Sequence, residues 1–150
     1  MTTRSTLTDP TTMTRPSIDN APAYEPVTNS PPSTPMTSEG SSRVVPSYGV
    51  VSSAKAALES HIRQLAMELA QTRKGITANT IRAGVTMTPA LMKIPEHDMI
   101  IESATKRNPT GRMTTTQDVA NAILALSGEG TDFINGEVIG VDGGEFVTGS

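Results

Sequence analysis

Between Ser52 and Arg73 the apolar residues Leu58, Ile62, Leu65, Ala66 and Leu69 recur at three- and four-residue steps, which places them on one face of a helix. That face must pack on something. Arg73 and Lys74 complement the dipole at the C-terminal end, and Gly75 suits the left-handed cap position. The β-branched run Ile76-Thr-Ala-Asn-Thr-Ile81 follows at once and ends at Gly84, so it is expected to be a strand. Helix, tight turn and strand make half of a βαβ unit.

The remainder extends that pattern. Pro89, Pro95, Pro109 and Gly111 punctuate residues 84 to 113, with a short helix expected over Glu96 to Lys106. A punctuated segment after a strand is often a substrate-facing loop or lid. Thr115 can cap a further helix in which Asp118 favours the N-terminal dipole, and Val119, Ala122, Ile123 and Leu126 form its apolar stripe. Gly128 or Gly130 ends it. Glu137-Val-Ile-Gly-Val-Asp142 is a second candidate strand, followed by a Gly143-Gly144 turn. Helix, strand, loop with helix, helix, strand is an α/β order with parallel strands.

Residues 1 to about 42 differ in kind, being dominated by Thr, Ser and Pro. Such a run buries too little apolar surface to offset chain entropy, and a disordered tail is expected. Asp9, Asp19 and the prolines argue against an amphipathic targeting helix. A net charge of -3 offers no electrostatic case for nucleic acid or an anionic membrane. With no cysteine there is neither a disulfide framework nor a thiolate metal site. His61 reads as a surface position, and His97, though beside Glu96 and Asp98, does not share a helical face with them. No metal site is expected. No apolar run approaches the roughly 20 residues of a membrane span, and no signal pattern opens the chain, so a cytoplasmic setting is expected.

Chemistry concentrates at Tyr48 and Lys55, seven positions apart. A phenol has a reference pKa of about 10, and a nearby ammonium favours its ionised form. The ammonium carries three donors and can also serve ribose hydroxyls. Seven residues is close to two helical turns, so both side chains share a side if the helix begins near Tyr48. Alone, such a pair is more often a helix-start tyrosine with an unrelated surface lysine.

Context raises its weight. The segments are Ser-Glu-Gly-Ser-Ser-Arg-Val-Val-Pro-Ser-Tyr (38 to 48), Ala-Lys-Ala-Ala-Leu-Glu (54 to 59) and Gly-Ile-Thr-Ala-Asn-Thr-Ile-Arg-Ala-Gly-Val-Thr-Met-Thr-Pro (75 to 89). Asn-Pro-Thr-Gly-Arg (108 to 112), Asp-Val-Ala (118 to 120) and Ile-Asn-Gly-Glu-Val-Ile-Gly-Val-Asp-Gly-Gly (134 to 144) follow in order. Together they resemble the C-terminal half of the short-chain dehydrogenase/reductase superfamily, in the enoyl-acyl carrier protein reductase branch with tyrosine and lysine separated by six residues. The resemblance runs from about Thr37 to Thr148 and divides the chain into a tail, 1–36, and a partial reductase domain, 37–150. It implies an incomplete Rossmann-like parallel sheet with flanking helices, NADH or NADPH as cofactor, and reduction of enoyl or oxo thioesters in fatty acid biosynthesis. Tyr48 is then the acid or oxyanion donor, and Lys55 its electrostatic partner and a ribose ligand. Ser38 falls where the family places a serine at a strand end. Gly84, Val85 and Thr88 match a Pro-Gly-x-x-x-Thr segment at the nicotinamide end, with Ala83 in place of the proline. Met87, Leu91, Met92 and Ile94 either line an acyl channel or merely pack the segment.

One requirement of that family has no counterpart upstream. A dinucleotide site needs a strand leading into a Gly-rich turn at a helix N-terminus, where backbone amides meet the pyrophosphate. Gly40 is the only glycine before Tyr48. Pro35 also counts against a strand just before Ser38, because proline lacks a backbone donor. Cofactor binding and turnover by this chain alone are therefore not expected. The open sheet edge and apolar helix face predict self-association or association with a related reductase. The alternative function is a non-catalytic remnant that associates with a full-length reductase subunit.

Overall fold

The structure, a computed structural model, describes residues 34–72, 76–128 and 130–148. The expected tail lies outside them up to residue 33, as does the Arg73-Lys74-Gly75 stop. Three parallel strands form one sheet in the order β1 (Met36–Thr37), β2 (Thr80–Ala83), β3 (Val138–Val141). Met36 pairs with Ile81, and Ile81 with Ile139. Among the described residues four α-helices accompany them: α1 (Gly49–Thr72), α2 (His97–Arg107), α3 (Thr116–Leu126) and the single turn α4 (Glu145–Thr148). This is the α/β parallel arrangement with flanking helices that the sequence order implies.

Boundaries moved for identifiable reasons. Pro35 does not prevent β1, because the proline contributes its carbonyl, which accepts from Ile81 N–H at 3.0 Å. The missing donor is never called upon. Met36, assigned to the tail, is thus the first residue of the sheet. β2 begins at Thr80 instead of Ile76. Ahead of it, Ala78 N–H donates to the Asn135 side chain at 2.9 Å, and the Asn79 side chain donates to the Ile134 carbonyl at 2.7 Å. Asparagine amides there do the work of a strand ladder.

The core sits where α1 and α3 meet the sheet. Ile62 and Ala66 are the buried members of the α1 stripe, whereas Leu65 stays 41% exposed. Ile81, at the centre of the sheet, is fully buried. Val119 is the buried member of the α3 stripe. Thr115 caps α3 as expected: its side chain accepts from Asp118 N–H while the Asp118 carboxylate accepts from Thr115 N–H, a capping box. The Gly143-Gly144 turn has positive φ at both residues and feeds the unforeseen α4. Among the described residues no helix is long and apolar enough to cross a membrane.

Candidate active site

Strand and helix ends bring four of the six predicted residues, Ser38, Tyr48, Gly84 and Val85, together at the C-terminal edge of the sheet. Ser47 takes a left-handed conformation (φ 61°), uncommon for a non-glycine residue, and turns the chain into α1. Tyr48 N–H donates to the Val45 carbonyl at 3.2 Å, and the Tyr48 carbonyl accepts from Ser52 at 2.8 Å. The helix therefore starts immediately after Tyr48, at Gly49 and not at Ser52. The tyrosine ring lies over buried Gly40, where an added Cβ would come within 2.7 Å of ring carbons Cδ1 and Cε1. Only glycine leaves that room.

Ser38, Tyr48, Gly84 and Val85 border one cavity of about 800 Å³, whose apolar wall includes Val45, Leu91, Ile94 and Ile100. Ser38 Oγ is buried without a hydrogen-bond partner. Leu91 and Ile94 thus face the cavity, whereas Met87 and Met92 are about half exposed and do not border it.

Two predicted residues stand elsewhere. Lys55 does not border the cavity; its Nζ donates to the Met36 carbonyl on the open edge of β1 at 2.8 Å. Thr88 also stays outside, and its hydroxyl accepts from Leu91 N–H at 3.2 Å. Thr86 borders the cavity in its place. Val85 N–H is already donated to the Glu145 carboxylate at 3.2 Å.

Part of the cavity wall is a polar cluster that sequence reasoning missed: Glu39, Arg82, Asp142 and Glu145 border it. Glu145 is 2% exposed, and its Oε1 accepts from Arg107 Nη2 at 2.6 Å. The same nitrogen lies 3.3 Å from Glu39. Burial acts to lower the pKa of the Arg107 guanidinium, but the hydrogen bond to Glu145 and the charges of Glu39 and Glu145 outweigh it and raise the value. Gly84 permits this packing, since a Cβ there would lie 2.5 Å from Thr114 Oγ1 and 2.8 Å from Glu145 Oε2. Nearby, Asn108 donates to the Asp142 carbonyl at 2.8 Å, and the Arg82 guanidinium lies 3.7 Å from the Phe146 ring centre. A four-residue helix carries no periodicity, so nothing in the sequence announced that Glu145 would be inside. His97 Nε2 does approach Asp98, at 3.4 Å. No group of three acidic or imidazole side chains among the described residues could hold a metal ion.

Comparison with known proteins agrees with this architecture. The model of the enoyl-(acyl carrier protein) reductase family matches residues 32–145. The chain belongs to that family. A curated relative, the NADH-dependent enoyl-acyl-carrier-protein reductase FabI of Aquifex aeolicus, is 39% identical over 110 residues, 73% of this chain and 40% of that protein. The NADPH-dependent aldehyde reductase-like chloroplast protein of Arabidopsis thaliana is 34% identical over 111 residues, 73% of this chain and 39% of its own length. The chain thus spans about two fifths of these relatives. Among solved structures, the Bacillus cereus enoyl-acyl carrier protein reductase with NADP+ superposes with a TM-score of 0.71 at 33% identity, over 77% of this chain and 44% of that one. The family is one of oxidoreductases within the short-chain dehydrogenase/reductase superfamily.

Proposed function

We propose that residues 34–148 supply the substrate-side half of an NAD(P)-dependent reductase site for enoyl or oxo thioesters. The observation that carries this reading is the shared cavity of Ser38, Tyr48, Gly84 and Val85, with an apolar wall from Leu91, Ile94 and Ile100. The nicotinamide, when bound, supplies hydride to a carbon of the substrate. Tyr48 then donates a hydrogen bond or a proton to the substrate oxygen, and Ser38 Oγ, buried without a partner, offers a second donor. Lys55 gives one hydrogen bond to Met36 and retains two donors for ribose hydroxyls. These groups suit the nicotinamide-ribose end of a dinucleotide. The pyrophosphate end requires a Gly-rich turn, and Gly40 is the only glycine ahead of Tyr48.

The test has two arms. The purified chain, given NADH or NADPH and a crotonoyl thioester, is expected to show no cofactor oxidation. Residues 34–150 fused behind the nucleotide-binding half of the Aquifex aeolicus relative are expected to turn over, and Tyr48→Phe in that fusion to lose on the order of 10²-fold or more in kcat. Unchanged turnover in the Tyr48→Phe fusion would overturn the reading.

A second reading, association with a copy of itself or with a related reductase, is supported by exposed apolar side chains. Val50 is 89%, Met67 48% and Leu124 73% exposed, on α1 and α3. A monomeric sizing profile together with no complex with a purified full-length relative counts against it.

A further inference from the structure

We propose that Arg107 is the positioning residue of this cavity: one guanidinium nitrogen ties the Ser38–Gly40 wall, through Glu39, to the Gly84–Val85 wall, through Glu145. The geometry stands by itself, while its bearing on catalysis rests on the proposed reductase function.

The two walls leave the sheet from different strands. The Ser38–Ser42 turn follows β1, and the hydrogen bonds of Ser41, Ser42 and Arg43 N–H close it on itself. Within Ser38–Ser42, the contact from Glu39 to Arg107 is the side-chain hydrogen bond that reaches another element, and just after the turn the Arg43 guanidinium donates to the Phe146 carbonyl on α4. Val85 follows β2, and its N–H is held by Glu145, which follows β3. Arg107 Nη2 reaches Glu39 at 3.3 Å and Glu145 at 2.6 Å, so the segments after β1 and β3 converge on a single cationic nitrogen, and the one after β2 joins them through the Glu145 carboxylate. Tyr48 rests on Gly40, inside the turn that Glu39 anchors. Release of Arg107 therefore loosens the floor under Tyr48 without touching Tyr48 itself.

Because both bonds use one nitrogen, a lysine ammonium with three donors can replace much of the link, whereas a methionine keeps the aliphatic stem and none of the charge. This separates positioning from packing. The readouts are amide hydrogen exchange and fluorescence quenching in the full chain. Tyr24 and Tyr48 are its only tyrosines and it has no tryptophan, so Tyr24→Phe makes Tyr48 the sole reporter.

In Arg107→Met, exchange at Ser41, Ser42, Arg43 and Val85 is expected to quicken by about tenfold together, with α3 amides unchanged. Acrylamide quenching of Tyr48 is expected to rise in the same variant. Arg107→Lys is expected to restore both readouts to within about twofold of the parent. Glu39→Ala, which removes this arm and keeps the one to Glu145, is expected to free Ser41 to Arg43 and leave Val85 protected; it also serves if Arg107→Met does not fold. Loosening of one wall alone in Arg107→Met, uniform loosening that includes α3, no change, or no rescue by lysine each overturns the proposal. None of these measurements needs cofactor or turnover, so a failed reductase assay leaves this result standing, and the reverse also holds.

Discussion

Two arginine–carboxylate pairs in this molecule use the same chemistry at opposite extremes. Arg112 forks onto Asp118, six residues away, at 2.7 and 3.0 Å, with the arginine side chain 58% exposed. Arg107 meets Glu145, 38 positions away, at 2.6 Å, with the glutamate side chain only 3% exposed. The first pair decorates a helix start that Thr115 would cap anyway. The second holds strand ends together at the wall of the candidate site. Proximity in sequence made the first pair cheap to form, whereas the second exists only because the sheet has already brought its members close.

That contrast predicts unequal costs. Glu145→Ala removes the acceptor of Val85 N–H and leaves Arg107 with Glu39 alone. A loss of about 2–4 kcal/mol is expected in urea unfolding of the full chain, toward the lower part of the range for broken buried pairs, because the Arg107 side chain is 30% exposed. Glu145→Gln keeps an acceptor and is expected to lose about half as much. Equal stability of Glu145→Ala and the parent would erase the distinction between the two pairs. Next in size, Gly84→Ala forces a methyl within 2.5 Å of Thr114 Oγ1 and is expected to cost about 2 kcal/mol by the same measurement. Thr115→Ala, on the local side of the comparison, removes the cap accepting Asp118 N–H and is expected to cost about 1 kcal/mol.

The same contrast explains what could be read from the chain. The α3 cap was legible because Thr115 and Asp118 lie three positions apart, and a capping box is written in consecutive residues. The parallel order of strands was legible because helix, turn and strand alternate at characteristic lengths. Tyr48, Ser38, Gly84 and Val85 were legible as a group through their ordered segments, and the cavity gathers them. Glu145, Arg107 and Gly40 were not. Their roles depend on which side chain arrives opposite them in space: for Gly40 it is the Tyr48 ring, eight residues on, and for Glu145 a guanidinium from another helix. Thr88 lies off the cavity, with its hydroxyl accepting from Leu91 N–H.

The smallest effect probes the exposed pair by pH. The hydrogen bonds from Arg112 first, then those from Thr115, hold the Asp118 carboxyl well below its ordinary value of 3.8. A carboxyl lowered by folding contributes stability that is fully present above its unfolded pKa and is lost as pH falls through the folded one. Asp118→Asn keeps a side-chain oxygen for Thr115 N–H but removes the charge that Arg112 and the α3 dipole favour. The advantage of the parent over this variant, measured by chemical unfolding, is therefore expected to be constant from neutral pH to about pH 5 and to shrink below about pH 4. Added salt is expected to reduce it at neutral pH, because both partners face solvent. An advantage that grows on acidification, or that ignores salt, would mean that Asp118 acts through buried contacts and that the two pairs differ less than their exposure indicates.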